Sequence, residues 1–110
     1  MERIYNKLVR DKIPEIIMKN GEVAITRVLD NDEYKIELER KLFEECNEVI
    51  NANGTDRIEE LADVLEIIIS LAKIENKKLE DIIMTANKKN EKRGSFNNKI
   101  FLEKVIETEK

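Results

Sequence analysis

Two runs of apolar residues at helical spacing, separated by the hexapeptide NANGTD (Asn51–Asp56), limit what this chain can fold into more than any other feature. Upstream, Leu38, Leu42, Cys46 and Val49 recur at steps of three and four, the period of one helix face. Downstream, Leu61, Val64, Leu65, Ile67, Ile68, Ile69, Leu71, Ala72 and Ile74 cover more than half of a helix circumference. An Asn-Gly pair between two such runs marks a tight turn, so the two helices are expected to fold back as an antiparallel hairpin. Only three glycines and one proline punctuate the 110 residues, which favours long helices over many short strands.

The remaining elements follow from local signals. Asp11 to Asn20 reads as a short first helix, with Asp11 as its cap, Pro14 in its first turn and Gly21 as its stop. The second helix is expected from Asp32 to about Ala52. The third is expected from Asp56, with Asp56 and Glu59 as a capping box, to about Glu75. A fourth runs from Leu79 to Arg93 and ends at Gly94, with Leu79, Ile82, Ile83 and Ala86 as its packed stripe. Residues 23–29 (VAITRVL) are rich in β-branched side chains and read as a short strand or an extended connector. Residues 98–103 are a second extended candidate, with a brief helix after them. The expected fold class is mainly α, resembling a four-helix bundle, in a single domain over residues 1–110.

Composition narrows the chemistry. The formal net charge of −4 gives no basic footprint for a nucleic-acid backbone. No apolar run approaches the length of a membrane span. Glu2, Arg3, Lys7 and Arg10 near the start are unlike a secretory leader, and Cys46 is alone, so a reducing cytoplasm is the expected setting. Histidine is absent. That removes the commonest general base and the commonest zinc ligand, leaving carboxylates, lysines and arginines. Oxygen ligands of this kind suit hard cations such as Mg²⁺ or Mn²⁺.

The carboxylates are placed in mirror image about the turn. Glu48 lies six residues before Gly54 and Glu60 six after; Glu45 lies nine before and Asp63 nine after. Equal counts at about 1.5 Å per residue set Glu48 level with Glu60 and Glu45 level with Asp63 across a hairpin. Each pair is spaced i, i+3 on one helix face. Glu60 projects within the apolar arc, between Ile67 and Leu71, and Asp63 falls at its edge; Glu59, Glu66 and Glu44 project away. A chain with 24 acids offers accidental pairs of this kind on solvated faces. The apolar neighbours of Glu60 and the fourfold symmetry argue instead for a cage around a divalent cation, because such a cluster repels itself unless neutralised.

These residues resemble the signature of the all-α nucleoside triphosphate pyrophosphohydrolase, or MazG-like, superfamily. Its E-E-x-x-E followed by E-x-x-D is matched by Glu44-Glu45-Cys46-Asn47-Glu48 and Glu60-Leu61-Ala62-Asp63. ANKKNEKR (Ala86–Arg93) is similar to a third family element. YNKLVRDKIPEII (Tyr5–Ile17) and KRGSF (Lys92–Phe96) resemble a short, phosphoribosyl-ATP pyrophosphohydrolase-like or house-cleaning subgroup. The resemblance implies a MazG-type helical fold and Mg²⁺-dependent hydrolysis of an α–β phosphoanhydride to a nucleoside monophosphate and pyrophosphate. It implies Glu45, Glu48, Glu60 and Asp63 as metal ligands, with Glu45 or Glu48 taking the proton of the attacking water. On the fourth helix Asn87, Lys89 and Arg93 border the stripe as it turns polar. Spacing alone leaves Lys89 and Arg93 open between phosphate binding and favourable placement at a helix C-terminus, and the resemblance points to phosphate. Lys88 and Lys92 read as dipole partners. Lys7 and Arg10 belong to the subgroup element and are further phosphate candidates. Tyr5, Tyr34, Phe96 and Phe101 read as packing aromatics first and base-stacking groups second. Phosphoribosyl-ATP is the alternative substrate to a nucleoside triphosphate. A non-catalytic nucleotide-binding or dimerisation module is the alternative class. The breadth of the apolar arc on the third helix, together with the oligomeric habit of the superfamily, implies a homodimer or dimer of dimers.

Overall fold

The computed structural model describes residues 1–109 and is mainly helical. Four helices are formed among the described residues: α1 (Ile13–Lys19), α2 (Asn31–Asn51), α3 (Gly54–Ile74) and α4 (Leu79–Arg93). The chain divides into two compact units, Met1–Leu79 and a second from Glu80 onward.

In the first unit, α2 and α3 pack along each other. Only Ala52 and Asn53 separate them, so they run antiparallel. Gly54 takes a left-handed backbone (φ +56°) at the reversal, where a residue with a Cβ would be strained. The Arg57 Nε–H donates to the Ala52 carbonyl at 2.8 Å and ties the first turn of α3 back to the loop. Two caps lie just upstream of their expected places and one just downstream. Asp30 caps α2, its side chain accepting from the Glu33 N–H at 2.9 Å. Asn53 holds the N-cap position of α3, which puts Asp56 inside the first turn and leaves no Asp56–Glu59 capping box. Asp11 does not cap α1 either; Lys12 stands at that position.

Two helices end in the same way. After α1, Gly21 (φ +82°) donates to Met18 O and Glu22 to Ile17 O. After α3, Asn76 (φ +58°) donates to Lys73 O and Lys77 to Ala72 O. Both are Schellman turns, one using glycine and one asparagine for the left-handed residue. They satisfy carbonyls that the helices would otherwise leave open.

Residues 23–29 and 98–103 form no strand, and no helix follows 103 among the described residues. The segment 23–29 is a connector without regular secondary structure. A lone apolar run with no second strand beside it has no ladder to join.

The apolar core is small. Leu38 on α2 and Ile67 and Ala72 on α3 are the buried side chains. Leu42 and Val49 are half-buried, while Cys46, expected in the stripe, is exposed. Phe43, Ile50, Ile58, Leu61 and Leu65 stay largely open to solvent along the hairpin. In the second unit, Ile82 and Ile83 of the expected packed stripe are exposed as well. No helix is long and apolar enough to cross a membrane among the described residues.

Candidate functional site

The site is built on the α2/α3 hairpin. Relative to buried Ile67, Glu60 is rotated by about 20° to one side and Asp63 by about 40° to the other. Both are therefore carried toward α2 and half-buried. On α2, Glu45 lies about 20° from the direction of buried Leu38, close to the same seam. Glu45, Glu60 and Asp63 each offer a carboxylate oxygen within 4.8 Å of the other two. Glu48, one turn further on, is rotated away from the seam by about 60° more and is exposed. Three of the four mirror-placed carboxylates thus come together. The fourth stands outside the group, although its charge is still felt at Glu60.

The crowding is visible in Glu60. Burial, followed by the charges of Glu45, Asp63 and Glu48 and a hydrogen bond with Glu45, pushes its carboxyl above the usual carboxylate range. Desolvation and like charges act in the same direction, since each disfavours the ionised form.

Two cations lean on the cluster. The Arg10 Nη2–H donates to Asp63 Oδ1 at 2.7 Å. Lys41 Nζ lies 3.5 Å from Glu45 Oε1, one helical turn away on α2. The backbone of Arg10 leads directly into α1. Its carbonyl accepts from the Ile13 N–H at the start of α1. Further back, Arg3 donates to Glu22 at 2.6 Å and fastens the irregular N-terminal segment to the loop after α1. Four carboxylates against two cations leave the patch with a formal charge of −2 when all are ionised.

A cleft of about 720 Å³ runs beside the cluster. Its walls carry both signs in equal number: Lys7, Arg10, Lys41 and Lys73 on one hand, Asp11, Glu45, Asp63 and Glu66 on the other, with Tyr5 and Tyr34 among the lining side chains. Lys7 Nζ sits 5.7 Å from the Tyr5 ring centre, over its face. Lys7 and Arg10 therefore share one cleft with two of the three convergent carboxylates. Lys41 was not singled out by the sequence reading. Its i, i+4 spacing to Glu45 was the available signal. The contact between Arg10 and Asp63 spans 53 residues and had none.

The other basic candidates belong to the second unit. Asn87 and Lys89 are exposed on α4. Arg93, in its last turn, lines an open cavity of about 650 Å³ with Asn90 and the loop Gly94–Ile100, Phe96 among them.

Among known proteins, an uncharacterized protein of Mycolicibacterium smegmatis (strain ATCC 700084 / mc(2)155) is 44% identical over 50 residues, 46% of this chain and 51% of that protein. The chain thus spans about half the length of the curated relative it matches. No family model matches the chain, and no solved structure gives a significant match.

Proposed function

We propose that this chain is a Mg²⁺-dependent nucleoside triphosphate pyrophosphohydrolase with a MazG-type fold, cleaving the α–β phosphoanhydride to a nucleoside monophosphate and pyrophosphate. The observation that carries the reading is the convergence of Glu45, Glu60 and Asp63 within 4.8 Å, at the place where the E-E-x-x-E and E-x-x-D elements predict a metal cage. The donor set fits the ion. All three groups are hard carboxylate oxygens, and neighbouring ligands of Mg²⁺ stand about 2.9 Å apart when its bonds are about 2.05 Å. A modest closing of the side chains reaches that spacing. The Glu60 carboxyl is raised by burial first and then by the charges of Glu45, Asp63 and Glu48, and a divalent cation would offset the second of these. Mn²⁺ satisfies the same donors.

A bound Mg²⁺ supplies charge neutralisation for the polyphosphate and an acidified water for attack. Glu45, Glu60 and Asp63 hold the ion. Glu48, exposed and outside the convergent group, is free to accept the proton that the attacking water gives up. Lys7 and Arg10 face the same cleft and bind phosphate oxygens. Asn87, Lys89 and Arg93 enter the proposal through the ANKKNEKR element, as further phosphate and sugar or base contacts. Phosphoribosyl-ATP remains the alternative substrate.

The protein is further proposed to act as a homodimer or dimer of dimers. With three buried apolar side chains and Phe43, Leu61 and Leu65 open to solvent, the hairpin has more apolar surface than its own unit covers. A non-catalytic nucleotide-binding or dimerisation module is the rival class; a dimerisation module alone has no use for a repelling carboxylate group at its seam. The test is pyrophosphate release from a panel of standard and modified nucleoside triphosphates and phosphoribosyl-ATP, with Mg²⁺ and with EDTA. Release that needs Mg²⁺ is expected. Absence of release from every member, with the protein folded and Mg²⁺ saturating, removes the enzyme reading.

A further inference from the structure

The two cations that touch the carboxylate group have no place in the metal cage itself, and both hold atoms a metal would need. Arg10 donates to Asp63 Oδ1 at 2.7 Å, and Lys41 Nζ stands 3.5 Å from Glu45 Oε1. Glu60, the third member of the group, makes no ion pair with a cation among the described residues. The two cations come from different parts of the chain, one from the N-terminal segment and one from α2. Both side chains also line the mixed-charge cleft together with Lys7 and Lys73. The Arg10–Asp63 pair is largely open to water, with side-chain exposures of 57% and 41%, so it is cheap to exchange. Lys41 is only 23% exposed, which keeps its ammonium near the cluster after the contact with Glu45 opens.

We propose that Arg10 and Lys41 are resident counter-ions of the carboxylate group, which a divalent cation displaces on binding, and that the displaced guanidinium and ammonium then take up phosphate oxygens in the adjoining cleft. This rests on the metal-site reading above, gives Arg10 a second role in it and adds one phosphate-binding residue, Lys41, to the site. The net charge at the cluster is the same at both stages. Without metal, two cations partly neutralise the carboxylates. With metal, the ion's two charges replace theirs, and two cations are released where a polyphosphate needs them. A guanidinium freed from Asp63 presents a fork suited to phosphate, and an ammonium offers a compact point charge. The exchange also orders the events, since the phosphate contacts of Arg10 and Lys41 become available only once metal is in place.

The consequence is a pair of effects of opposite sign. Arg10→Ala removes a competitor for Asp63, so Mn²⁺ titrated alone into the full-length protein is expected to bind about two- to fivefold more tightly, the upper range for an exposed ion pair. Inorganic pyrophosphate, titrated in saturating Mg²⁺, is expected to bind more weakly to the same variant. Lys41→Gln is expected to behave alike, and Arg10→Lys to fall between wild type and Arg10→Ala in both titrations. Circular dichroism of each variant checks that the helices persist. An ion pair with only a structural role predicts metal binding unchanged or weaker in Arg10→Ala and Lys41→Gln, and that result overturns the proposal. If wild type binds no Mn²⁺, the metal-site reading falls and the exchange falls with it. Metal binding by wild type with no gain in either variant removes the exchange alone.

Discussion

Replacing Glu60 by Gln separates a metal cage from a structural cluster, because the two predict stability changes of opposite sign. The substitution keeps shape and removes one negative charge from a group whose members lie within 4.8 Å. Consider first the protein in EDTA. The folded environment of Glu60, through burial and then the charges of Glu45, Asp63 and Glu48, holds its carboxyl above the ordinary value of 4.5. An acid raised in the folded state binds its proton more readily there than in the unfolded chain. Its ionised form therefore opposes folding, fully so above the folded value, and the opposition fades as pH falls through that value. Glu60→Gln should accordingly match or exceed wild type in stability at pH 7, and the difference should shrink toward pH 4. Now add Mg²⁺. An ion present at a hundred times its dissociation constant stabilises the folded state by about 2.7 kcal/mol. Loss of one ligand that weakens binding about a hundredfold brings the same concentration to the dissociation constant, where about 0.4 kcal/mol remains. Thermal unfolding of both proteins with EDTA and with Mg²⁺, at pH 7 and at pH 4–5, measures all of this. Wild type should gain strongly from Mg²⁺ and Glu60→Gln hardly at all. Equal Mg²⁺ stabilisation of the two refutes the cage. So does a large loss of stability for Glu60→Gln in EDTA, the mark of a charge whose removal orphans a buried partner.

Arg93→Ala should weaken nucleotide binding and turnover while leaving Mg²⁺ stabilisation as in wild type, since a guanidinium ligates no metal; unchanged nucleotide affinity by calorimetry would take α4 out of the substrate site. Leu65→Asp places a charge on the exposed apolar face of α3 and should yield a monomer by light scattering, whereas an unchanged oligomer would locate the interface elsewhere. Ile67→Ala, at a side chain only 6% exposed, should cost roughly 2–4 kcal/mol in urea unfolding; a cost under about 1 kcal/mol would mean that the α2/α3 seam is not where the hairpin is held.

The helices were legible because their signals are periodic and repeated. A stripe such as Leu61 to Ile74 supplies many independent votes for one face, and no single residue decides it. The caps are decided by single residues, and there the reading slipped. Asp30 and Asp32 both suit an N-cap, as do Asn53 and Asp56, and only the backbone angle at the preceding loop chooses between them. The segment 23–29 has the β-branched composition of a strand but no partner, and strand formation is a property of pairs. Burial was the least legible. Helical projection assigned Cys46, Ile82 and Ile83 to packed stripes, whereas each is exposed. A stripe shows which face seeks cover and is silent on whether the same chain supplies it.

At the site, symmetry in the sequence became asymmetry in space. Equal spacing about Gly54 fixes the height of each carboxylate along the hairpin but not its rotation about the helix axis. Glu45 and Asp63 each sit within about 40° of a buried neighbour, Leu38 or Ile67, and meet. Glu48 and Glu60 are level as well, yet Glu48 is turned about 80° from the direction of Leu38 and remains in solvent. That difference in rotation gives chemically identical groups different tasks in the proposed reaction. Groups at the seam are held close enough to share an ion, and a group one step outside can take a proton. The cations divide by distance along the chain instead. The spacing of Lys41 to Glu45 is local and readable, whereas Arg10 reaches Asp63 from an N-terminal segment that is itself tied to the loop after α1 by the exposed Arg3–Glu22 pair. Cutting that fastening with Arg3→Ala should loosen Arg10 from Asp63 without touching either residue. If the exchange of counter-ions is correct, Arg3→Ala should tighten Mn²⁺ binding in the same direction as Arg10→Ala, by a smaller factor. A variant that binds Mn²⁺ as wild type does would show that Arg10 finds Asp63 without help from the fastening.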